Sequence, residues 1–344
     1  MNLPRRELLR LGSVAIGGLA TGAVAAANAQ ANQAARAKAC ILLFMDGGPS
    51  HIDLFDLKPQ APADVRGPWK TIATSVPGIQ TSELLPTLAR QMHHVLQVRS
   101  VTHEQTVHDP AVYQMLTGYK HVSSAGGLKV EETDLPHIAC AFHQADATVQ
   151  RMPKTVLIPE RMGMEGRILP GQNSGILSPA YRSFEAPVTR DGSVVPPSFP
   201  DAREVSRPRW NERLSLRGQL ETHARGLEEE LNAGRLDLFR QQALEIVSSP
   251  EVRRAFDLEA ESPATRDAYG RHRHGQSVLL ARRLVEAGTR FVTVYWGNEE
   301  QDWADGRGPR LANNPWDTHR NHFPLVKDDL VPRADQTLAA LLSD

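Results

Sequence analysis

The 344-residue chain sets 39 lysines and arginines against 40 aspartates and glutamates, a formal net charge of −1 with histidine neutral. That balance, with no basic tract, excludes a nucleic-acid partner held by phosphate neutralisation. Two cysteines, Cys40 and Cys140, are too few and too far apart for a cysteine zinc site; they either form one disulfide in an oxidising compartment or remain two buried free thiols.

Arg5, Arg6 and Arg10 open the chain within Pro-Arg-Arg-Glu-Leu-Leu-Arg, Leu11 to Ala27 carry no charge, and Ala27-Asn28-Ala29 offers small residues for cleavage. This is the order of a secretory signal, and the paired arginines followed by Leu-Leu point to the twin-arginine route. The apolar stretch falls short of the roughly 20 residues that a membrane span needs, so cleavage and release to the periplasm or exterior are expected, with no stable span afterwards. Residues 1–29 hold a net charge of +2 and leave about −3 on the remainder. Residues 30–39 read as a linker, and 40–344 as one α/β domain.

Cys40 to Met45 is a continuous apolar run ended by Asp46-Gly-Gly-Pro49, the pattern of a buried parallel strand that delivers a loop at its carboxyl end. Residues 57–80, rich in Pro, Gly and Thr, read as a long surface loop. A helix is expected from Ser82 to Met92 with Leu84, Leu85, Leu88 and Met92 on its apolar face and Pro86 in its first turns. A second strand is expected at Val95–Val98, then a helix from Pro110 to Leu116 ended by Gly118. A further helix is expected over Asp134–His143, and a third strand at Thr155–Ile158. From Gly166 to Pro208 the composition suggests an irregular insertion. Residues 211–260 read as a charged helical cover. Ser277 to Ala287 is a helix ended by Gly288, Arg290 to Trp296 a strand, and Phe323 to Leu342 an amphipathic helix. Alternating strands and helices predict an α/β fold with a mainly parallel sheet flanked by helices. Ligands in such folds sit beyond the carboxyl ends of the strands.

Three clusters follow candidate strands: Asp46 through Ser50, His51 and Asp53 to Asp56; Ser100 through Thr102, His103 and His108 to Asp109; and Trp316-Asp317-Thr318-His319-Arg-Asn-His322. Hard oxygen donors mixed with imidazoles suit zinc, manganese, magnesium or calcium. Such a cation polarises a phosphoryl or sulfuryl oxygen or activates a nucleophile, which favours ester hydrolysis over redox chemistry. No Gly-x-Gly-x-x-Gly or Walker-type loop supports a nucleotide cofactor. His93-His94 and Arg271-His-Arg-His274 read as charged helix surface, and Trp69, Trp210 and Trp303 as packing or loop anchors.

The run Ala39-Cys-Ile-Leu-Leu-Phe-Met-Asp-Gly-Gly-Pro-Ser-His-Ile-Asp-Leu-Phe-Asp-Leu-Lys-Pro59 resembles the bacterial DUF1501 family. So do Val98-Arg-Ser-Val-Thr-His103, Met115-Leu-Thr-Gly118, Gly275 through Gly288, and Trp316-Asp-Thr-His319. The resemblance covers nearly all of the chain after the signal and implies an alkaline phosphatase and sulfatase-like fold. Relative to the sulfatase pattern Cys-x-Pro-Ser-Arg followed by Thr-Gly, the similar segment keeps Pro110 and Thr117-Gly118. It puts His108 in place of the modified cysteine, and Ala111 and Val112 in place of Ser-Arg. A formylglycine sulfatase is therefore not expected. His108 is a candidate ligand, base or nucleophile, and Ser100 and Thr102 are outside candidates for an oxygen nucleophile.

The resemblance further implies that Asp46, Asp317 and His319 hold a divalent metal ion, that His108 and His103 contact the reacting group, and that Ser50, His51, Asp53 and Thr102 line the site. The family continues into a strand, a Gly-Arg-Thr-Pro loop and an Asp-His-Trp segment, so the fold is expected to lack its C-terminal part here. The function implied is an exported metal-dependent hydrolase of phosphate or sulfate esters, on a small molecule or a polysaccharide. A non-catalytic envelope scaffold that keeps the fold is the alternative.

Overall fold

A computed structural model describes residues 37–148, 150–164, 166–195, 249–297, 316–318 and 321–344, and a compact body runs from Cys40 to Asp344. The expected signal segment 1–29, Trp210, Trp303, His319, and most of the linker and helical cover lie outside the described residues.

In chain order the body begins with β1 (Cys40–Met45), the short helices α1 (His51–Leu54) and α2 (Ala63–Arg66), the strands β2 (Thr71–Ala73) and β3 (Gln80–Ser82), and α3 (Pro86–Ala89). Then come α4 (His108–Thr117), α5 (Ile138–Ala145), β4 (Thr155–Ile158), β5 (Gly163–Met164), β6 (Arg167–Ile168) and β7 (Phe184–Glu185). After the undescribed stretch follow α6 (Pro250–Phe256), α7 (Pro263–Tyr269), α8 (Arg273–Glu286), β8 (Phe291–Trp296), α9 (His322–Leu325), a π-helical turn at Val326–Leu330, and α10 (Val331–Ser343).

β1, β8, β4 and β7 form one sheet in that spatial order, every pairing parallel, with Met45 opposite Trp296 and Ile158 opposite Val294. β8 and β4 are buried on both faces, as near-continuous apolar runs require. β1, expected to be buried, stands at the end of the sheet order with Cys40 exposed and Ile41–Met45 only half-buried. Val156, Ile158, Val292 and Val294 pack with Val278, Leu279 and Leu280 of α8. Leu157 and Tyr295 turn to the other face, with Val112 and Leu116 of α4. This is an α/β fold with a parallel sheet between helices. Among the described residues no helix is long and apolar enough to cross a membrane.

Several expectations are corrected. Val95–Val98 forms no strand: Leu96 is 89% exposed and Val98 is exposed too, so no sheet face receives them. The expected helix Ser82–Met92 is broken up. Ser82 ends β3, α3 spans four residues, and its start is held by Asp335, which accepts from the Thr87 N–H (3.0 Å) and the Leu88 N–H (2.6 Å). The loop 57–80 contains α2 and β2, and the irregular stretch after Gly166 supplies β7 to the sheet. The helix expected from Asp134 starts at Ile138, with His137 as its cap. Arg273 and His274 are buried rather than on a charged surface, and the His274 ring stacks on Trp296 at 4.8 Å. Both cysteines are free, Cys40 exposed and Cys140 buried.

Candidate functional site

β1 and β8 run side by side and end together. The Asp46 N–H donates to the Trp296 carbonyl at 3.0 Å, and the Trp316 N–H donates to the Asp46 carbonyl at 3.2 Å. The Trp316–Thr318 segment is thereby tied to the end of the first strand. A Cβ on Gly297 would come within 3.1 Å of the Asp46 carboxylate, so a bare backbone is what lets that side chain tuck in beside β8. Asp46 is buried, and its pKa is pushed up to about 7. Burial is the main cause, the Gly47 N–H opposes it, and the charge of Asp317 adds to the rise.

Asp317 carries the second carboxylate. Its Oδ2 lies 3.2 Å from Nε2 of His108, whose side chain is 44% exposed. His108 opens α4, and the next residue fixes that helix end. Buried Asp109 pairs with Arg167 at 2.9 Å and accepts the Leu128 N–H at 2.8 Å. Asp46, Asp317 and His108 thus come from three of the regions singled out in the sequence.

The remaining candidates are placed differently. Ser50 occupies the N-cap position of α1 without a side-chain cap bond, and His51 is exposed. Thr102 and His103 are exposed on the loop before α4. The His103 Nδ1 accepts only the nearby Gln105 N–H, at 3.1 Å, and among the described residues no hydrogen bond or ion pair joins Thr102 or His103 to Asp46 or Asp317. Asp53 is buried and faces a different partner, His322, whose Nε2 lies 3.0 Å from Asp53 Oδ2.

That contact belongs to a chain of three. The other ring nitrogen of His322, Nδ1, lies 2.7 Å from the Thr318 hydroxyl. His322 starts α9 directly after Asn321, whose φ of 55° is a left-handed conformation that asparagine tolerates better than most residues. Sequence reasoning gave Thr318 and His322 no role of their own. The available signal was their spacing of four, which lets a hydroxyl and an imidazole meet where the chain turns into a helix.

A cation fits the donor chemistry at Asp46 and Asp317: two carboxylates whose mutual repulsion and burial raise the Asp46 pKa would both be relieved by positive charge. Among the described residues, however, no three His, Cys, Asp or Glu side chains stand together as a complete metal-binding group.

The class that fold and site define is an α/β protein with paired carboxylates and an imidazole at the ends of adjacent parallel strands. The chain belongs to the DUF1501 family, described as a protein of unknown function, which it matches over residues 37–344. No curated protein matches the chain, and no solved structure matches it.

Proposed function

We propose that the protein is an exported, metal-dependent hydrolase of phosphate or sulfate esters with a sulfatase-like fold. It would leave the cell by the twin-arginine route and act in the periplasm or outside on a small-molecule or polysaccharide ester. The observation that carries the reading is Asp317, held near the end of β1 by the Trp316 N–H bond to the Asp46 carbonyl, within electrostatic reach of Asp46 and against His108. Ligands of open parallel sheets bind at such strand ends.

In this reading Asp46 and Asp317, with His319, hold a divalent cation. When bound, the cation supplies Lewis-acid polarisation of the phosphoryl or sulfuryl oxygen. The chain's own residues do the rest. Asp46 and Asp317 fix the position of the reacting group. His108, anchored by Asp317 and open to solvent, meets the ester and exchanges a proton with it. Ser50 and His51, just after the Gly47-Gly48 turn, would line the site.

The experiment is metal analysis of the purified full chain with nitrophenyl phosphate and nitrophenyl sulfate turnover, before and after chelation. Turnover that falls on chelation and returns with one divalent cation is expected. Neither bound metal nor turnover would overturn the reading. It would favour the non-catalytic scaffold.

A further inference from the structure

We propose that Thr318, His322 and Asp53 form a nucleophilic relay in which the Thr318 hydroxyl is the group that attacks the ester. The inference rests on the hydrolase reading above and deepens it by naming the nucleophile. Its geometry stands on the described residues alone: Thr318 Oγ1 to His322 Nδ1 is 2.7 Å, and His322 Nε2 to Asp53 Oδ2 is 3.0 Å. A nucleophile and base within about 2.6–3.2 Å, with the base oriented by a third group, is the arrangement that activates an otherwise weak hydroxyl.

Direction follows from chemistry. In the relay the imidazole is neutral, and because an ionised carboxylate only accepts, its proton sits on Nε2 against Asp53. Nδ1 then presents a lone pair, and the Thr318 hydroxyl must donate to it. The hydroxyl is thus poised to lose its proton to His322 rather than to receive one.

Burial separates the ends of the relay. Asp53 is buried within α1. A Cβ on Gly67 would meet its Oδ1 at 3.1 Å, so the backbone of the 57–80 segment closes over the carboxylate. His322 is about one-third exposed and Thr318 is half-buried, so the reacting end is the open one. Thr318 also follows Asp317 directly in the chain, on the segment that the Trp316 N–H ties to the Asp46 carbonyl at the end of β1.

The step balances without a further reagent. Thr318 Oγ1 bonds to phosphorus while its proton passes to His322 Nδ1. The bond from phosphorus to the alcohol oxygen breaks, and His322 returns the proton to that oxygen, leaving phosphothreonine and a free alcohol. Water then gives a proton to His322 and attacks phosphorus, and Thr318 leaves with that proton restored. Asp53 stabilises the imidazolium in both halves and stays ionised throughout.

A phosphorofluoridate probe tests this on the full chain, because it labels an activated hydroxyl whether or not any ester is turned over. Peptide mass analysis is expected to place the adduct on Thr318. Labelling is expected to persist in Thr318→Ser, to vanish in Thr318→Val, and to slow about a hundred- to ten-thousand-fold in His322→Asn. Thermal unfolding of each variant is recorded alongside. Labelling of Thr318 without turnover of nitrophenyl esters would support the relay while the hydrolase reading fails. Metal-dependent turnover that survives Thr318→Val, with no adduct in the wild type, would overturn the relay and leave the hydrolase reading standing. Absence of both would overturn both. A hydroxyl that merely braces the segment would show lowered thermal stability in Thr318→Val and no adduct.

Discussion

His108 and Asp109 are neighbours in sequence with opposite environments. An α-helix turns by about 100° per residue, so His108 emerges to solvent at the Asp317 carboxylate while Asp109 turns inward to Arg167 and the Leu128 N–H. The His108–Asp317 pair is too exposed to contribute much to stability. His108→Ala is therefore expected to lower ester turnover about a hundred- to ten-thousand-fold with the unfolding midpoint unchanged, as steady-state kinetics and urea unfolding together will read. Asp109→Ala strands a guanidinium and a backbone donor, and is expected to cost about 3 kcal/mol or more in the same urea experiment. The sequence marks both residues as polar in a promising loop. Which of the two faces the site depends on where α4 begins, and nothing short of the Arg167 pairing decides that. The same limit applies to Asp53, whose pairing with His322 across the fold no local sequence pattern reveals.

At the scale of elements, legibility follows the length of the apolar pattern. Phe291–Trp296 is legible because a strand buried on both faces is apolar but for Thr293. Cys40–Met45 is legible because it keeps an unbroken apolar run even though, at the end of the sheet order, it is half-buried rather than buried. β7 has two residues and no pattern to read, and Val95–Val98 has the right residue types with no sheet to receive them. α8 is evident from its leucines, yet its most constrained residue is Gly275. A Cβ there would lie 2.2 Å from the Tyr269 carbonyl oxygen and 2.5 Å from that of Gly270, both backbone atoms that cannot step aside. In an unpacked helix, Gly→Ala gains about 1 kcal/mol. Here overpacking reverses the sign, and Gly275→Ala is expected to lose about 3 kcal/mol in urea unfolding while circular dichroism still reports a folded α/β protein. An alanine that stabilises the protein would show that α7 and α8 do not approach this closely.

Across the whole molecule, two buried titrating groups set opposing slopes of stability with pH. Asp46 ionises near pH 7 in the folded state against an ordinary value of 3.8, mainly because it is buried. Between those values the folded chain holds a proton that the unfolded chain has released, so stability falls as pH rises from about 4 to about 7. His137, buried as the cap of α5, is pushed down to about 4 from 6.5, so between those values the unfolded chain holds the extra proton and stability falls as pH drops. Each group moves stability by about 1.4 kcal/mol per pH unit at full effect, and where the windows overlap the two slopes nearly cancel. The single variants should separate them. Asp46→Asn leaves the histidine slope alone, so stability should climb by up to about 3 kcal/mol from pH 4 to 6.5. His137→Asn keeps a side-chain acceptor for the Ala139 N–H, which His137 now holds at 3.0 Å. It leaves the aspartate slope alone, and stability should fall by up to about 4 kcal/mol from pH 4 to 7. Urea unfolding of the two variants and the wild type across this range in chelator measures both slopes, and groups titrating elsewhere cancel in the differences. The Asp46 penalty is also what a divalent cation would relieve, so adding one at pH 8 should stabilise the wild type and His137→Asn but not Asp46→Asn. Equal stabilisation of all three would place the cation somewhere other than the ends of β1 and β8.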